Sequence, residues 1–297
     1  MTIIGWNGKL RSAEEAVVPV WDHGFLYGMT LFETMRTYNG RPYLLEQHLD
    51  RLHSACDDLG IILRIQRDEM AIHIRDVMHA NGLDEGYIRL TVSAGEQGFG
   101  LPTDCYAHPI VMVLTKPLPP LPEELYKTGR PLQLLTTRRN SPESIIRHKS
   151  GHYMNNILAK RELMTYPSAE LGAEGLMLNE HGYVAEGIVS NVFAVVDHTL
   201  VTPAIHTGIL PGITRARVIE LAYEQGLTTK EYCFGWETLL QATEVFVTTS
   251  VQEIVPVTTL WSDKHTEVII GEGHIGPVTQ QLLAAYRREA ACWSDLA

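Results

Sequence analysis

Nowhere in the 297 residues does a lysine- or arginine-rich run occur, and the formal net charge is −11. An acidic chain without a basic stripe is poorly suited to nucleic acid or an anionic membrane surface, although positive charge can still be gathered locally for a small anion. Cysteine is scarce: Cys56, Cys105, Cys233 and Cys292 lie far apart, with no CxxC pair. That argues against a disulfide framework or a zinc knuckle and for a reduced, cytoplasmic setting. Long apolar runs are missing too. The longest, such as "IVMVL" at Ile110 to Leu114, fall far short of a bilayer span. The opening "MTIIGWNGKLRSAEEAVV" has no basic stretch followed by an apolar one, so no secretion signal is expected. There is no G-x-S-x-G of a serine hydrolase, no HExxH, and no Walker lysine for a nucleoside triphosphate. Internal repeats and low-complexity tracts are absent as well.

What is present is ordinary globular composition, 45% hydrophobic and 20% charged, in a chain long enough for two domains with separate cores. In "KPLPPLPEE", Lys116 to Glu124, four prolines fall within six residues, favouring a stiff extended connection. The expected organisation is a domain over 1–116, a linker over 117–124 and a second domain over 125–297. "TIIGWNG" predicts a strand ending in an Asn-Gly turn, and "TLFETMRTYNGRPYLL" a hairpin around a second one. Leu45, Leu49, Leu52, Ala55 and Leu59 recur at helical spacing until Gly60, and "RDEMAIHIRDVMHANG" predicts a second helix. "GYIRLTVSAG" and "HPIVMVLTK" complete a sheet covered by helices on one face. Beyond the linker the pattern predicts a strand at "RPLQLLTTRR", a helix over "GHYMNNILAKRELMTY" and a meander from "EGLMLNEHGYVAEG" to "HTLVTP". Helices at "GITRARVIELAYEQG" and "GPVTQQLLAAYRREAACW" flank "ATEVFVTTSVQEIVPVTTL", a strand that turns and returns. The class is α/β (α+β).

Several groups could carry chemistry. "RHKSGHY" sets Lys149 among Arg147, His148 and His152 just ahead of a helix, and nearby positive charge with partial burial favours a neutral, nucleophilic amine. Glu186 in "VAEGIVSNVF" either caps a turn or, buried against a ring nitrogen, keeps that ring protonated and electron-withdrawing. Ser190 and Asn191 follow and can line a polar pocket mouth. In "TGILPGITR", Gly208, Pro211 and Gly212 form a turn before Ile213 and Thr214 open a helix, whose free N–H groups suit a phosphate; a plain threonine cap is the other reading. Arg51 is either an ion-pair partner or a guanidinium fork for phosphate. Thr248, Thr249 and Ser250 add hydroxyls at a strand end. His148 and His152 lack a third ligand, so no metal is expected.

The blocks "DHGFLYGMTLFETMR", "LLEQHLDRL", "RHKSGHYMNNILAKRE", "AEGIVSNVF", "TGILPGITR" and "TTSVQEIVPV" occur in this order over most of the chain. Together they closely resemble the fold-type IV pyridoxal-phosphate enzymes, which include branched-chain aminotransferases, D-amino acid aminotransferases and 4-amino-4-deoxychorismate lyases. The resemblance implies a small N-terminal α/β sandwich, a larger C-terminal domain with a barrel-like sheet, and a homodimer with its active site at the domain junction near the partner subunit. It makes Lys149 the catalytic lysine that condenses with the cofactor aldehyde and Glu186 the partner of the pyridine nitrogen. Arg51, Ile213, Thr214 and Ser250 match the phosphate cup, and Ser190 and Asn191 the strand beside the ring.

Among family members, D-amino acid aminotransferases resemble one another in a strand tyrosine and an Arg-x-His loop that trap a carboxylate. Here Phe32 takes the tyrosine's place, and "SAGEQGFGLPTD" has no Arg-x-His. The Lys-x-x-Gly-Asn-Tyr run of branched-chain aminotransferases is also broken, since Tyr153 arrives one residue early. The combination most resembles the aminodeoxychorismate lyases of Bacillus-like bacteria. That implies release of pyruvate and 4-aminobenzoate from a small carboxylated substrate, with Arg36 and Arg89 as anchors or structural ion-pair partners and Thr34 on the substrate side. The alternative is an aminotransferase for D-amino or branched-chain amino acids.

Overall fold

The computed structural model describes residues 2–293. The chain divides into two compact units. The first runs to Pro119 and takes in His148–His152 and the described end from Ala290; the second comprises Pro120–Arg147 and Tyr153–Glu289. A single cut at 117–124 does not describe this arrangement. The lysine-bearing segment groups with the first unit because its backbone pairs with a strand there.

In the first unit, β1 (Ile3–Trp6) and β2 (Lys9–Ser12) meet at Asn7-Gly8. Both turn residues have positive φ, 48° and 77°, the left-handed pair that a two-residue hairpin needs for its twist. The short helix α1 (His23–Tyr27) was not anticipated; the Asp22 side chain caps it by accepting from Phe25 N at 3.2 Å, and Gly28 closes it. β3 (Thr30–Tyr38) and β4 (Arg41–Pro42) form the second Asn-Gly hairpin. Then come α2 (Leu45–Asp58), α3 (Arg67–Ala80), β5 (Tyr87–Ser93) and β6 (Ile110–Lys116). The six strands pair antiparallel in the order β2-β1-β6-β5-β3-β4.

Alternation along the strands gives this sheet two different faces. Leu31, Met35, Ile88, Leu90 and Val92 project to one side and pack with Leu49, Leu52, Ile74 and Val77 of the two long helices. The other side carries Phe32, Thr34 and Arg36 opposite Thr91, Arg89 and Tyr87.

The second unit contains α4 (Leu125–Thr128), β7 (Arg130–Leu134), α5 (Met154–Leu163), β8 (Glu174–Leu178), β9 (Val184–Gly187), β10 (Asn191–Val196) and β11 (Thr199–Pro203). α6 (Ile213–Glu224), β12 (Thr229–Tyr232), α7 (Trp236–Leu240), β13 (Glu244–Thr249), β14 (Glu253–Trp261), β15 (Glu267–Ile269) and α8 (Pro277–Ala291) follow. Nine strands make a mixed, curled, barrel-like sheet in the order β12-β11-β10-β13-β14-β7-β8-β9, with β15 on β14. β7 lies parallel to both its neighbours. Phe193 and Phe246, directly opposite on β10 and β13, stack at 4.9 Å in its core.

Helix α5 begins at Met154 rather than at Gly151. No described helix is long and apolar enough to cross a membrane.

Leu49 is fully buried between α2 and the first sheet. Leu49→Ala should lower unfolding stability by about 2–5 kcal/mol, the usual cost of an unfilled core cavity, read as the shift in a urea transition.

Candidate functional site

The lysine segment is built as an extra strand. Phe32 N donates to Lys149 O at 2.9 Å and Gly151 N to Thr30 O at 2.8 Å, with Ser150 bridging antiparallel to Leu31. These bonds hold 149–151 extended, which is why the helix starts later. Gly28, at φ 74°, leaves room for His152: a Cβ there would fall 2.7 Å from the imidazole Cδ2. The "DHGFLYG" block thus forms the seat for the lysine segment. The Lys149 Nζ lies 4.7 Å from the Phe32 ring centroid, and the Arg89 guanidinium carbon lies 3.7 Å from the same centroid. The cation that shares a ring with Lys149 is therefore Arg89, remote in sequence. Arg147 is committed to Gly208 O at 2.6 Å, and His148 to Asp58 at 3.5 Å. Thr34 sits directly opposite Arg89 on the neighbouring strand. Arg36, on the same face and diagonal to Arg89, stacks on Tyr38 at 4.4 Å.

Arg51 belongs to a buried triad on the other face of β3. Its Nε and Nη2 donate to the two oxygens of Glu33 at 2.8 and 2.6 Å, and His48 Nδ1 bonds to Glu33 Oε2 at 2.6 Å. Burial by itself would raise the Glu33 pKa, but Arg51 and then His48 hold it down at about 2. Burial pushes the His48 pKa below its ordinary value despite Glu33, so a neutral imidazole donates to the carboxylate. A bidentate fork of this kind fixes a guanidinium in one orientation.

In the second unit Glu186, at the end of β9, is almost fully buried. Its Oε1 accepts from Arg139 Nε at 2.8 Å; its Oε2 accepts from Leu210 N at 2.9 Å and from Asn191 Nδ2 at 3.3 Å. Arg147 Nε lies 4.0 Å from Oε1. Burial, and then repulsion from Arg139, bring the Arg147 pKa down to about 10, which leaves it cationic at neutral pH. Asn191 also donates to Leu210 O at 3.0 Å, tying Glu186 to the turn that opens α6. Gly212 is needed there for space: its Cβ would fall 2.0 Å from Asn191 Oδ1.

Helix α6 has no side-chain cap at its N-terminus. The Thr214 hydroxyl donates to Ser250 Oγ at 3.3 Å. Uncapped N–H groups at Ile213 and Thr214, two hydroxyls and the positive end of the helix dipole form a donor set for a phosphate. Ser190 is placed differently. A Cβ on Gly187 would fall 2.1 Å from Ser190 Oγ and 2.7 Å from Glu174 Oε1, so this hydroxyl sits beside Glu174, whose pKa burial pushes up, rather than with Glu186.

The second unit thus links Glu186 and Asn191 through Leu210 to the Ile213–Thr214 helix start and Ser250. The first unit places Lys149, Thr34, Arg36 and Arg89 on one sheet face and Arg51 under the other. A buried carboxylate for a basic ring nitrogen and an uncapped helix start for an anion suit pyridoxal phosphate. The sequence readings missed Arg139, Glu33, His48 and the Leu210 main chain. For Glu33 a signal existed: a carboxylate in phase with Leu31 and Met35. For Arg139, in a loop after β7, spacing offered none.

A family model described as amino-transferase class IV matches residues 30–260. The chain is 39% identical over 285 residues to the aminodeoxychorismate lyase of Bacillus subtilis, covering 95% of this chain and 93% of that one. The structure of 4-amino-4-deoxychorismate lyase from Pseudomonas aeruginosa superposes with a TM-score of 0.82 at 30% identity, covering 97% of this chain and 99% of that one. The branched-chain amino acid aminotransferase of Escherichia coli gives 0.84 at 30% identity over 96% of this chain and 93% of its own.

Because the Glu33 pKa is depressed from 4.5 to about 2, the stability its ionised form contributes is complete above pH 4.5 and is lost as pH falls through 2. By linkage it is roughly 3 kcal/mol at neutral pH. Glu33→Gln should therefore be markedly less stable than the parent at pH 7, and the gap should close as the urea midpoints of both are followed from pH 4.5 downward. A gap independent of pH would contradict the assignment.

Proposed function

Because this chain belongs to the amino-transferase class IV family, whose members use pyridoxal phosphate, we propose that it is a lyase converting 4-amino-4-deoxychorismate to 4-aminobenzoate and pyruvate, a step towards folate. The observation that carries this reading is the strip of Thr34, Arg36 and Arg89 on the sheet face that also bears the Phe32 ring under Lys149. Diagonal cross-strand positions lie roughly 7–8 Å apart, a spacing suited to a small substrate with two carboxylates. The 39% identity to the Bacillus subtilis lyase over 95% of the chain supports the same reading.

The bound cofactor supplies an electron sink for the carbon that carries the substrate amine. Glu186 keeps the ring nitrogen protonated. The N–H groups of Ile213 and Thr214 and the Ser250 hydroxyl would hold the phosphate, with Asn191 along the strand beside the ring; Arg51, committed to Glu33, and Ser190, beside Glu174, are assigned no cofactor contact. Lys149 would hold the cofactor through its aldehyde, and its amine, freed when the substrate amine takes that place, would take the proton from the amine-bearing carbon. As the neighbouring carbon–oxygen bond breaks, the departing enol of pyruvate takes up a proton and the ring becomes aromatic. Arg36 and Arg89 hold carboxylates, and Thr34 faces the substrate between them. The enzyme works as a cytoplasmic homodimer on a small molecule. A second reading, transamination, is favoured by the likeness to the Escherichia coli aminotransferase.

Purified protein given 4-amino-4-deoxychorismate should release pyruvate and 4-aminobenzoate without any keto acid. A requirement for a keto acid, with glutamate or alanine formed, would replace the lyase by the aminotransferase. Lys149→Ala should lose the yellow cofactor band and all turnover while melting like the parent, and borohydride should fix a pyridoxyl group on Lys149 in the parent alone. Normal turnover by the variant would refute the choice of lysine.

A further inference from the structure

We propose that Arg139 is a positioning residue that acts through Glu186, holding its carboxylate aimed and charged so that the proton shared with the cofactor's ring nitrogen resides on nitrogen. The inference rests on Glu186 being the partner of that nitrogen.

Arg139 is buried, and each of its partners restrains it. Nε bonds to Glu186 Oε1 at 2.8 Å, while Nη1 bonds to the amide oxygens of Asn155, Asn140 and Asn156 at 2.9, 3.1 and 3.3 Å. Two of those asparagines lie in the first turn of α5, and both are themselves anchored to main chain. Asn155 donates to Arg138 O at 2.9 Å, and Asn156 to Ile188 O at 2.5 Å. The guanidinium is thus clamped between α5 and β9. Arg147, the other cation nearby, is 4.0 Å from Oε1 and spends its Nε on Gly208 O. Arg139 is the cation in direct contact.

A proton between a carboxylate and a pyridine nitrogen has two resting places. On nitrogen it leaves a carboxylate–pyridinium pair; on oxygen it leaves two neutral groups. A guanidinium bonded to the carboxylate is closer to the negative end of that pair than to the positive end, so its net Coulomb effect favours the charged arrangement. The hydrogen bond to Oε1, with Leu210 N and Asn191 on Oε2, also removes the freedom of the carboxylate to turn. Ring protonation then depends on a loop arginine that need not touch the cofactor itself.

The test uses pyridoxal phosphate labelled with 15N in the ring, loaded onto the parent, Arg139→Met, Arg139→Gln, Arg139→Lys and Glu186→Gln. Three quantities are read: the ring 15N chemical shift, the cofactor dissociation constant and the melting temperature of the cofactor-free proteins. The parent should show a protonated nitrogen. Arg139→Met and Arg139→Gln should move the shift towards the unprotonated position and weaken cofactor binding about tenfold, and Arg139→Lys should recover much of both because it keeps the charge. A parent-like shift in Arg139→Met or Arg139→Gln, alongside a lost one in Glu186→Gln, would overturn the proposal and leave Arg139 a purely structural residue. A parent-like shift in Glu186→Gln would overturn it together with the assignment of Glu186. If Arg139→Met does not fold, Arg139→Gln, which retains hydrogen-bonding capacity for the asparagines, decides alone.

Discussion

A carboxylate removed from water must be met by positive charge and hydrogen bonds, or it takes up a proton. Two such carboxylates, one in each unit, are held by an arginine beside the candidate site residues. In the first, Glu33 is enclosed by Arg51 and His48; in the second, Glu186 is enclosed by Arg139, Leu210 N and Asn191. In both places the pairing fixes side-chain direction. Breaking such a pair leaves a buried charge uncompensated, which is why these contacts constrain the surrounding backbone more than an exposed ion pair would. The turn opening α6 is an example. Leu210 gives its N–H to Glu186 and its C=O to Asn191, so the start of α6 is set by the same carboxylate.

The lysine is positioned by a different device, backbone pairing. A strand bond to Phe32 and another to Thr30 fix the register of 149–151. Because side chains alternate along an extended segment, a slip of one residue would turn Lys149 to the opposite side. Gly151 and Gly28 make the close approach feasible: a Cβ on Gly151 would fall 1.9 Å from Thr30 Oγ1. A sequence neighbourhood rich in positive charge therefore has a structural explanation that differs from direct activation. Arg147 and His148 each have their own partners, and Phe32 and Arg89 form the surroundings of the amine.

Much of the scaffold was legible where local chemistry decides. Asn7-Gly8 and Asn39-Gly40 take the left-handed conformations the hairpins require, and Leu49, Leu52 and Ala55 are the buried face of α2, as their spacing predicts. The helix start at Ile213 follows from the turn residues before it. The extended form of 149–151 was not legible, because it depends on bonds to residues more than a hundred positions away. Arg139 was hidden for the same reason: an arginine's partners in a folded chain are set by topology, and a loop carries no periodicity from which to infer them. Glu33 was accessible in principle. A carboxylate at a core-facing strand position demands a cation, and His48 and Arg51 lie one helical turn apart on the facing helix.

The cofactor groups and the substrate groups also impose different constraints on the chain. Holding a pyridine ring and a phosphate needs a carboxylate, an amine and an uncapped helix start, and none of these distinguishes elimination from amino transfer. Distinction has to come from groups that meet the rest of the substrate, and the proposed ones lie on the face of the first sheet opposite the one packed against α2 and α3. There Thr34 and Arg89 are directly opposed, with Arg36 one diagonal away and aromatic rings beneath both guanidiniums. A guanidinium can meet a planar carboxylate with two donors at once. On the proposed reading, a substrate with one carboxylate on its ring and a second on its enol-ether arm would meet both guanidiniums, whereas a branched-chain amino acid has a single carboxylate to offer.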